Sequence, residues 1–241
     1  MTGNKEGLQK EIEEVLLQNG ASMVGFARMG DLASSSGSDL TGGISIAAAL
    51  DPHIIRDIKE GPTREYYREY KRVNSLLSRL GDTAAGILGK YGFRALKLEP
   101  TEDITGSTHL CSSLPHKTVA TRAGLGWIGK TALLVTGKFG SAVRLNSVLT
   151  DLDQAAGARP VDRSRCGECR TCVDECPAAA ASGRDWDIGK RRDDFFDAFK
   201  CRDTARQRSQ KAGIDSTICG KCIIVCPFTK EYIRKSLDIS S

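Results

Sequence analysis

Eight of the nine cysteines in this chain fall into two arrays with the spacing of iron–sulfur ligands. The first array reads C-x2-C-x2-C-x3-C-P; one further cysteine follows it, and then C-x2-C-x3-C-P. A C-x2-C-x2-C loop wraps three thiolates around one cubane, whereas the cysteine before each proline points to the other cluster. The sequence therefore predicts two 4Fe–4S clusters that accept and pass on single electrons. The predicted ligands are Cys166, Cys169, Cys172 and Cys226 for the first cluster, and Cys176, Cys201, Cys219 and Cys222 for the second.

Zinc and disulfides are the alternative uses of so many cysteines. Zinc commonly takes paired C-x2-C knuckles and has no need of a C-x2-C-x2-C triplet. Disulfides need an oxidising compartment. The N-terminal residues do not show the pattern of a secretory signal, which is an apolar run after a basic start. Cys111 lies outside both arrays, and we assign it no role because a lone cysteine is most often a small buried apolar residue.

Length and composition indicate a globular protein. With 241 residues, 40% hydrophobic and 27% charged, the chain can form one ordinary domain and a small module. No stretch approaches the roughly 18 apolar residues that span a bilayer, so we expect a cytoplasmic protein without a membrane partner. The formal net charge is +5, but it falls to about +1 once thiolates and clusters are counted. A nucleic-acid interface is therefore weakly indicated.

Hydrophobic periodicity predicts an α+β or α/β domain at residues 1–155, followed by a ferredoxin-like two-cluster module at residues 156–241. Predicted helices cover 5–18, 63–90 and 116–123. Predicted strands cover 22–28, 43–50, 93–99, 132–136 and 141–150, the last two forming a hairpin across 137–140. A polar linker is predicted at 151–164, and the insert 185–200 is predicted to be a helix with an aromatic face.

Residues 122–130, RAGLGWIGK, form a second informative segment. Its glycines permit unusual backbone angles and the close approach of a ligand, Trp127 offers a flat wall, and Lys130 offers a cation. The spacing does not fit a P-loop, and a helix followed by a strand is the wrong order for a dinucleotide fingerprint. A tight helix-to-strand connection around a buried Trp127 is the other interpretation.

The segments AGLGWIGK, FGSAVRLNSVLTDL and CGECRTCVDECP together resemble the epoxyqueuosine reductases and their relatives, the corrinoid reductive dehalogenases, over roughly residues 62–230. The resemblance implies a nitroreductase-like α/β domain that binds cobalamin and receives electrons from the two clusters. His116, at the start of the helix before the glycines, is a further candidate for cofactor contact. The residues implied to line the corrinoid pocket are Gly124, Leu125, Gly126, Trp127, Gly129 and Lys130.

The chain departs from the family in two respects. Epoxyqueuosine reductases continue into a helical-repeat region that grips tRNA, whereas this sequence stops 15 residues after Cys226; we expect a small-molecule substrate or an acceptor protein rather than tRNA. The family's Arg-Asp-Tyr-His segment has no clean match. In its place are two copies of Arg-Glu-Tyr, four residues apart and hence on one helix face. The candidate general acids are Tyr67, Glu69 and Tyr70, although Tyr66 and Tyr70 also fit an apolar core stripe.

These features favour a corrinoid-dependent iron–sulfur reductase supplied by a low-potential electron donor, a ferredoxin or flavodoxin. One alternative is an electron-transfer protein that reduces a separate corrinoid or other acceptor protein without substrate chemistry of its own. Another is a flavin enzyme on the same scaffold. A homodimer is one way for so short a chain to cover its cofactor pocket.

Overall fold

The computed structural model describes residues 5–30, 32, 38–98, 110, 114–152 and 159–238. Cys111 and residues 153–158 of the predicted linker lie outside the described residues. The centre is a four-stranded antiparallel sheet in the order β1-β2-β6-β3, and β4 and β5 form a separate pair. The strands are β1 Met23–Arg28, β2 Gly42–Ala49, β3 Ala95–Leu98, β4 Trp127–Ile128, β5 Leu134–Val135 and β6 Val143–Thr150.

Helices cover both faces of this sheet, and local side-chain caps start several of them. The Thr63 side chain accepts a hydrogen bond from Tyr66 N at 3.1 Å, which fixes the start of the longest helix. The helices are α1 Lys5–Gln18, α2 Pro52–Arg56, α3 Arg64–Lys90, α4 His116–Arg122, α5 Thr171–Asp174, α6 Ala198–Lys211, α7 Lys221–Ile224 and α8 Pro227–Asp238, with a 3-10 turn at Arg192–Asp194.

The side chains of β2 alternate between two apolar layers. Ile44 and Ile46 pack with α1 and α3 on one face, whereas a Cβ on Gly43 would lie 3.1 Å from Val119 of α4 on the other. Because β2 is buried on both faces, small and branched side chains suit it. The predicted mixture of helices and strands is confirmed; since every strand pairing is antiparallel, the domain takes the α+β form.

The predicted hairpin between 132–136 and 141–150 is wrong. β5 pairs with β4, as Trp127 with Val135, and β6 lies in the central sheet between β2 and β3. Only the turn remains, as a bridge between Thr136 and Gly140. The last five residues of β6 are all buried, so the strand has two faces to cover and belongs inside a sheet rather than in a two-stranded ribbon.

The predicted helix at 185–200 is also wrong. The segment holds one 3-10 turn, and α6 starts only at Ala198. Aspartates offer the backbone other partners: Asp187 accepts from Gly189 N at 3.0 Å, and Asp194 accepts from Arg191 N at 2.8 Å. Such local bonds compete with the helical pattern. Trp186 and Phe195 are buried in a small cluster with the partly buried Phe196, instead of along a helix face.

The hydrophobic core is continuous across the predicted boundary at 155/156. Ile233 of α8 is buried in the same core as α3, and Tyr232 Oη donates to Leu50 O at 2.9 Å. The division into two domains stays a prediction. Among the described residues, no helix is both long and apolar enough to cross a membrane.

Candidate two-cluster redox centre

The first predicted ligand group surrounds Cys172 of α5. Burial raises the pKa of the Cys172 thiol to about 11, and the neighbouring thiols of Cys166, Cys226 and Cys169 raise it further. Cys226 comes from the far end of the module, yet it lies beside the first array. The apolar residues against which Cys166 and Cys226 pack are Trp127, Val135 and Val161.

The second predicted group lines one cavity of about 250 Å³. All four of its cysteines face this space. Burial raises the pKa of the Cys201 thiol to about 11, with Cys176 and Cys219 as the next causes. Burial, followed by Cys201 and Cys219, also raises the pKa of the Cys222 thiol.

The donor set fits two cubanes. Four thiolates per group match the ligand requirement, one thiolate for each iron corner. Within the described ranges, no three His, Cys, Asp or Glu side chains converge tightly enough to hold a single metal ion. Because the pKa values of the Cys172, Cys201 and Cys222 thiols are raised, these thiols are protonated in the absence of metal, and cluster binding must release their protons. α5 and α7, which carry Cys172 and Cys222, contact each other, so the two groups are neighbours.

Trp127 of the glycine segment belongs to the wall of the first group. Its Nε1 donates to Cys166 Sγ at 3.4 Å. Its ring meets the half-exposed ring of Phe228 edge-on, with centroids 5.1 Å apart, and the Arg165 guanidinium lies 5.9 Å from its centre. Trp127 thus connects the first thiol group with the molecular surface.

The glycines of this segment allow close packing against β5. A Cβ on Gly126 would overlap the carbonyl oxygen of Val135, and one on Gly129 would lie 2.9 Å from the Val135 side chain and 3.6 Å from Cys166 Sγ. Gly124 has a φ of 75°. The half-buried Leu125 packs near Gly25. The segment therefore holds β4 and β5 against the first thiol group.

Lys130 and His116, the other residues implied in cofactor contact, also have partners inside the protein. Lys130 is 4% exposed, and its Nζ donates to Gly183 O at 2.9 Å and pairs with Asp185 Oδ1 at 2.9 Å. His116 Nδ1 lies 3.1 Å from Ser147 Oγ, which joins α4 to β6.

The three candidate general acids lie near the start of α3 but have different partners. Glu69 is buried; its carboxylate accepts from Asp51 N at 3.0 Å and from Arg72 Nε at 2.7 Å. Tyr67 Oη donates to Asp215 O in the module at 3.3 Å. The half-buried Tyr70 ring lies under a guanidinium of β6, 4.2 Å from the ring centre.

Sequence reasoning missed Arg144, which supplies that guanidinium, and the role of Tyr66. Arg144 Nε donates to Asn74 Oδ1 at 2.9 Å. Burial raises the pKa of Tyr66; Arg144 opposes that shift, while Cys222, Tyr70 and Cys219 add to it. Tyr66 therefore lies between the second thiol group and the Tyr70–Arg144 pair. The sequence feature that could have indicated Arg144 is its position as the one charged residue of β6.

Comparisons with known proteins agree with this geometry. Residues 165–229 match the family described as a 4Fe-4S double cluster binding domain. The epoxyqueuosine reductase of Lactococcus garvieae is 36% identical over 120 residues, which make up 46% of this chain and 31% of that relative. The match thus spans about a third of the relative's length.

Two solved structures share the fold. A reductive dehalogenase, described with a mechanism for B12-dependent dehalogenation, superposes with a TM-score of 0.67 at 18% identity, over 95% of this chain and 33% of that chain. Epoxyqueuosine reductase with a modified tRNA stem loop gives 0.58 at 19% identity, over 94% and 66%. The chain is thus an iron–sulfur protein with a double-cluster domain, similar in sequence to epoxyqueuosine reductase and sharing the fold of that enzyme and of reductive dehalogenases.

Proposed function

We propose that this protein is a cobalamin-dependent iron–sulfur reductase that acts on a small substrate. The observation that carries the proposal is the packing of the two thiol groups side by side, where α5 contacts α7, with Tyr66 against Gly220 of the second array and Arg144 over the Tyr70 ring. Bound cobalamin would supply a cobalt centre that takes up these electrons and performs the reductive step. The similarity to epoxyqueuosine reductase supports the oxidoreductase assignment.

We propose that a flat ring would lie against a partly open strip of β6. Val143, Arg144 and Leu145 are half-buried, whereas the rest of β6 is buried. Val143 and Leu145 offer apolar surface on one face of the strand. Arg144 points to the other face, towards α3, where Asn74 and the Tyr70 ring hold it. Most of the residues implied by the resemblance, from Gly126 to Lys130, are buried against the cluster module instead, so their role would be to hold the electron source in place.

Tyr70 is the best-placed proton donor of the three candidates. Its half-buried ring lies 4.2 Å from the Arg144 guanidinium, whereas the Tyr67 hydroxyl and the Glu69 carboxylate already have partners inside the protein. Glu69 would act indirectly, as a positioning residue, because its bonds to Asp51 N and Arg72 fix the first turns of α3. Tyr67 would anchor α3 to the module.

Anaerobic cofactor analysis tests the proposal. The iron-loaded protein is mixed with hydroxocobalamin, separated from free corrinoid, and recorded in the visible range before and after addition of a low-potential reductant. We expect retained corrinoid with the spectrum of a detached lower base. Flavin released on denaturation would support the flavin enzyme instead, and full iron and sulfide without corrinoid uptake would support the electron-transfer protein.

The electron donor is inferred from α6, which carries a second-group ligand. Cys201 lies in its first turn, and its inner side lines the second cavity. The helix has five basic residues and one acidic residue, and Phe199 is 42% exposed on its outer side. In the described part of the chain, Arg206 and Lys211 form no ion pair. An acidic ferredoxin or flavodoxin fits this face, one helix diameter of about 10 Å from the cluster.

Charge reversal on α6 should slow reduction by such a donor. We expect the Arg206→Glu/Lys211→Glu double variant to be reduced by flavodoxin about tenfold more slowly at low salt, because electrostatic steering is lost. Stopped-flow absorbance of the clusters measures the rate. Reduction by dithionite should not change, and Lys90→Glu, on exposed surface at the end of α3, should behave as wild type. Equal slowing with both reductants, or binding of a tRNA stem loop to this face, would contradict the assignment.

A further inference from the structure

The cavity of the second thiol group has cationic walls. Lys117, Arg192 and Lys221 line it together with the four cysteines, and no Asp or Glu is among its lining residues. The first group has an apolar wall of Trp127, Val135 and Val161 instead. The two clusters therefore lie in different electrostatic surroundings.

Lys117 differs from the other two cations because no carboxylate neutralises it. Arg192 pairs with Asp193 at 2.8 Å, and Lys221 pairs with Glu175 at 3.3 Å. Lys117 Nζ donates to the Ala132 carbonyl at 2.8 Å and has no ion pair within the described residues. Burial lowers its pKa to about 8, with the Arg192 charge as a second cause. Nothing in the proposed path of the electrons uses this residue.

An unpaired cation on the wall of a cluster's cavity must affect the cluster's reduction. Reduction adds one electron from an external donor to a 4Fe–4S centre with four thiolates, without bond cleavage, so its net negative charge increases. A positive charge inside a partly desolvated cavity stabilises the more negative state. Apolar walls disfavour that state. Both differences favour reduction of the second cluster over the first.

We propose that Lys117 is the residue that holds the reduction potential of the second cluster above that of the first, so that the second cluster is reduced first. The proposal rests on cluster binding and not on cobalamin; failure to take up corrinoid would leave it intact. Its consequence is that an electron entering beside α6 rests next to Tyr66 until it is used.

Potentiometric titration monitored by electron paramagnetic resonance tests this role on the anaerobically reconstituted protein. The signal of the second cluster is assigned as the one that Cys219→Ser removes. In Lys117→Gln we expect the reduced-to-oxidised ratio of that cluster, at a fixed potential, to fall by about tenfold, or about 59 mV for one electron. Lys117→Arg should keep the wild-type midpoint, and the first cluster should shift little.

Two further variants separate charge from folding. Lys221→Gln is the matched control, because Glu175 already neutralises Lys221, and its midpoint should lie close to that of the wild type. Glu175→Gln should raise the midpoint, because it releases the Lys221 charge without touching Lys117, even if Lys117→Gln fails to hold iron. An unchanged second midpoint in Lys117→Gln, an equal shift of both clusters, or a lowered midpoint in Glu175→Gln would overturn the proposal.

Discussion

Cys226→Ala is expected to abolish the first cluster and to leave the second intact, although Cys226 ends the second cysteine array. The reason is the crossing of the chain between the two groups. Cys226 is among the thiols that raise the pKa of Cys172, and it packs with Cys166 on the same apolar wall. The cysteine before each proline thus completes the other array's cluster.

The same geometry predicts a mirrored result for Cys176. This cysteine ends the first array, yet it lines the second cavity and neighbours Cys201. Cys176→Ala should therefore remove the second cluster and retain the first. α5 and α7 are four-residue helices that place Cys172 and Cys222 in corresponding positions, which explains why the exchange is reciprocal.

Iron content and electron paramagnetic resonance measure both results after anaerobic reconstitution. We expect about four irons in each variant against about eight in the wild type, and the remaining signals of the two variants should differ. Cys169→Ala, in the middle of the first array, should leave the same signal as Cys226→Ala. Cys111→Ala should keep full iron. Cys222→Ala removes a ligand of the second cluster and should leave the signal of the first. If Cys226→Ala leaves this same signal, each array binds its own cluster and the predicted exchange is wrong.

The features that could be predicted from the sequence are those determined over short distances along the chain. The cysteine spacing reflects how a loop wraps a cubane, and α3 follows from its apolar period and from its Thr63 cap. Its predicted range, 63–90, agrees with the observed Arg64–Lys90. Likewise, the helical period of about 3.6 residues is visible in the sequence without knowledge of any partner segment.

Features that depend on distant segments could not be predicted. Nothing within 132–150 shows that β5 pairs with β4 while β6 pairs with β2 and β3. Lys130 looked like the cationic rim of a ligand pocket, but its partners, Gly183 and Asp185, lie more than fifty residues away. Lys117 lay in an ordinary short helix; only the fold brings it to the second cavity.

Gly126→Ala is expected to disrupt the contact between the glycine segment and the first cluster. An alanine Cβ there would overlap Val135 O, and the neighbouring backbone of Thr136 would lie 3.3 Å away. Both contacts are with backbone, which cannot rotate aside as a flexible side chain can. The β4–β5 pair must therefore separate, and Trp127, which follows directly, must leave Cys166 Sγ.

We expect the free energy of unfolding to fall by about 2–3 kcal/mol, as for overpacking of a tight interior, and the first cluster to bleach faster in air than the second. Urea unfolding under anaerobic conditions and the decay of each cluster's resonance signal measure the two effects. Gly137→Ala is the matched control, because nothing lies within 4 Å of its added Cβ. The two variants add the same methyl group, which meets the backbone of Val135 at position 126 and open space at position 137. If both variants are equally stable and bleach equally fast, the close approach of β4 to β5 does not protect the first cluster.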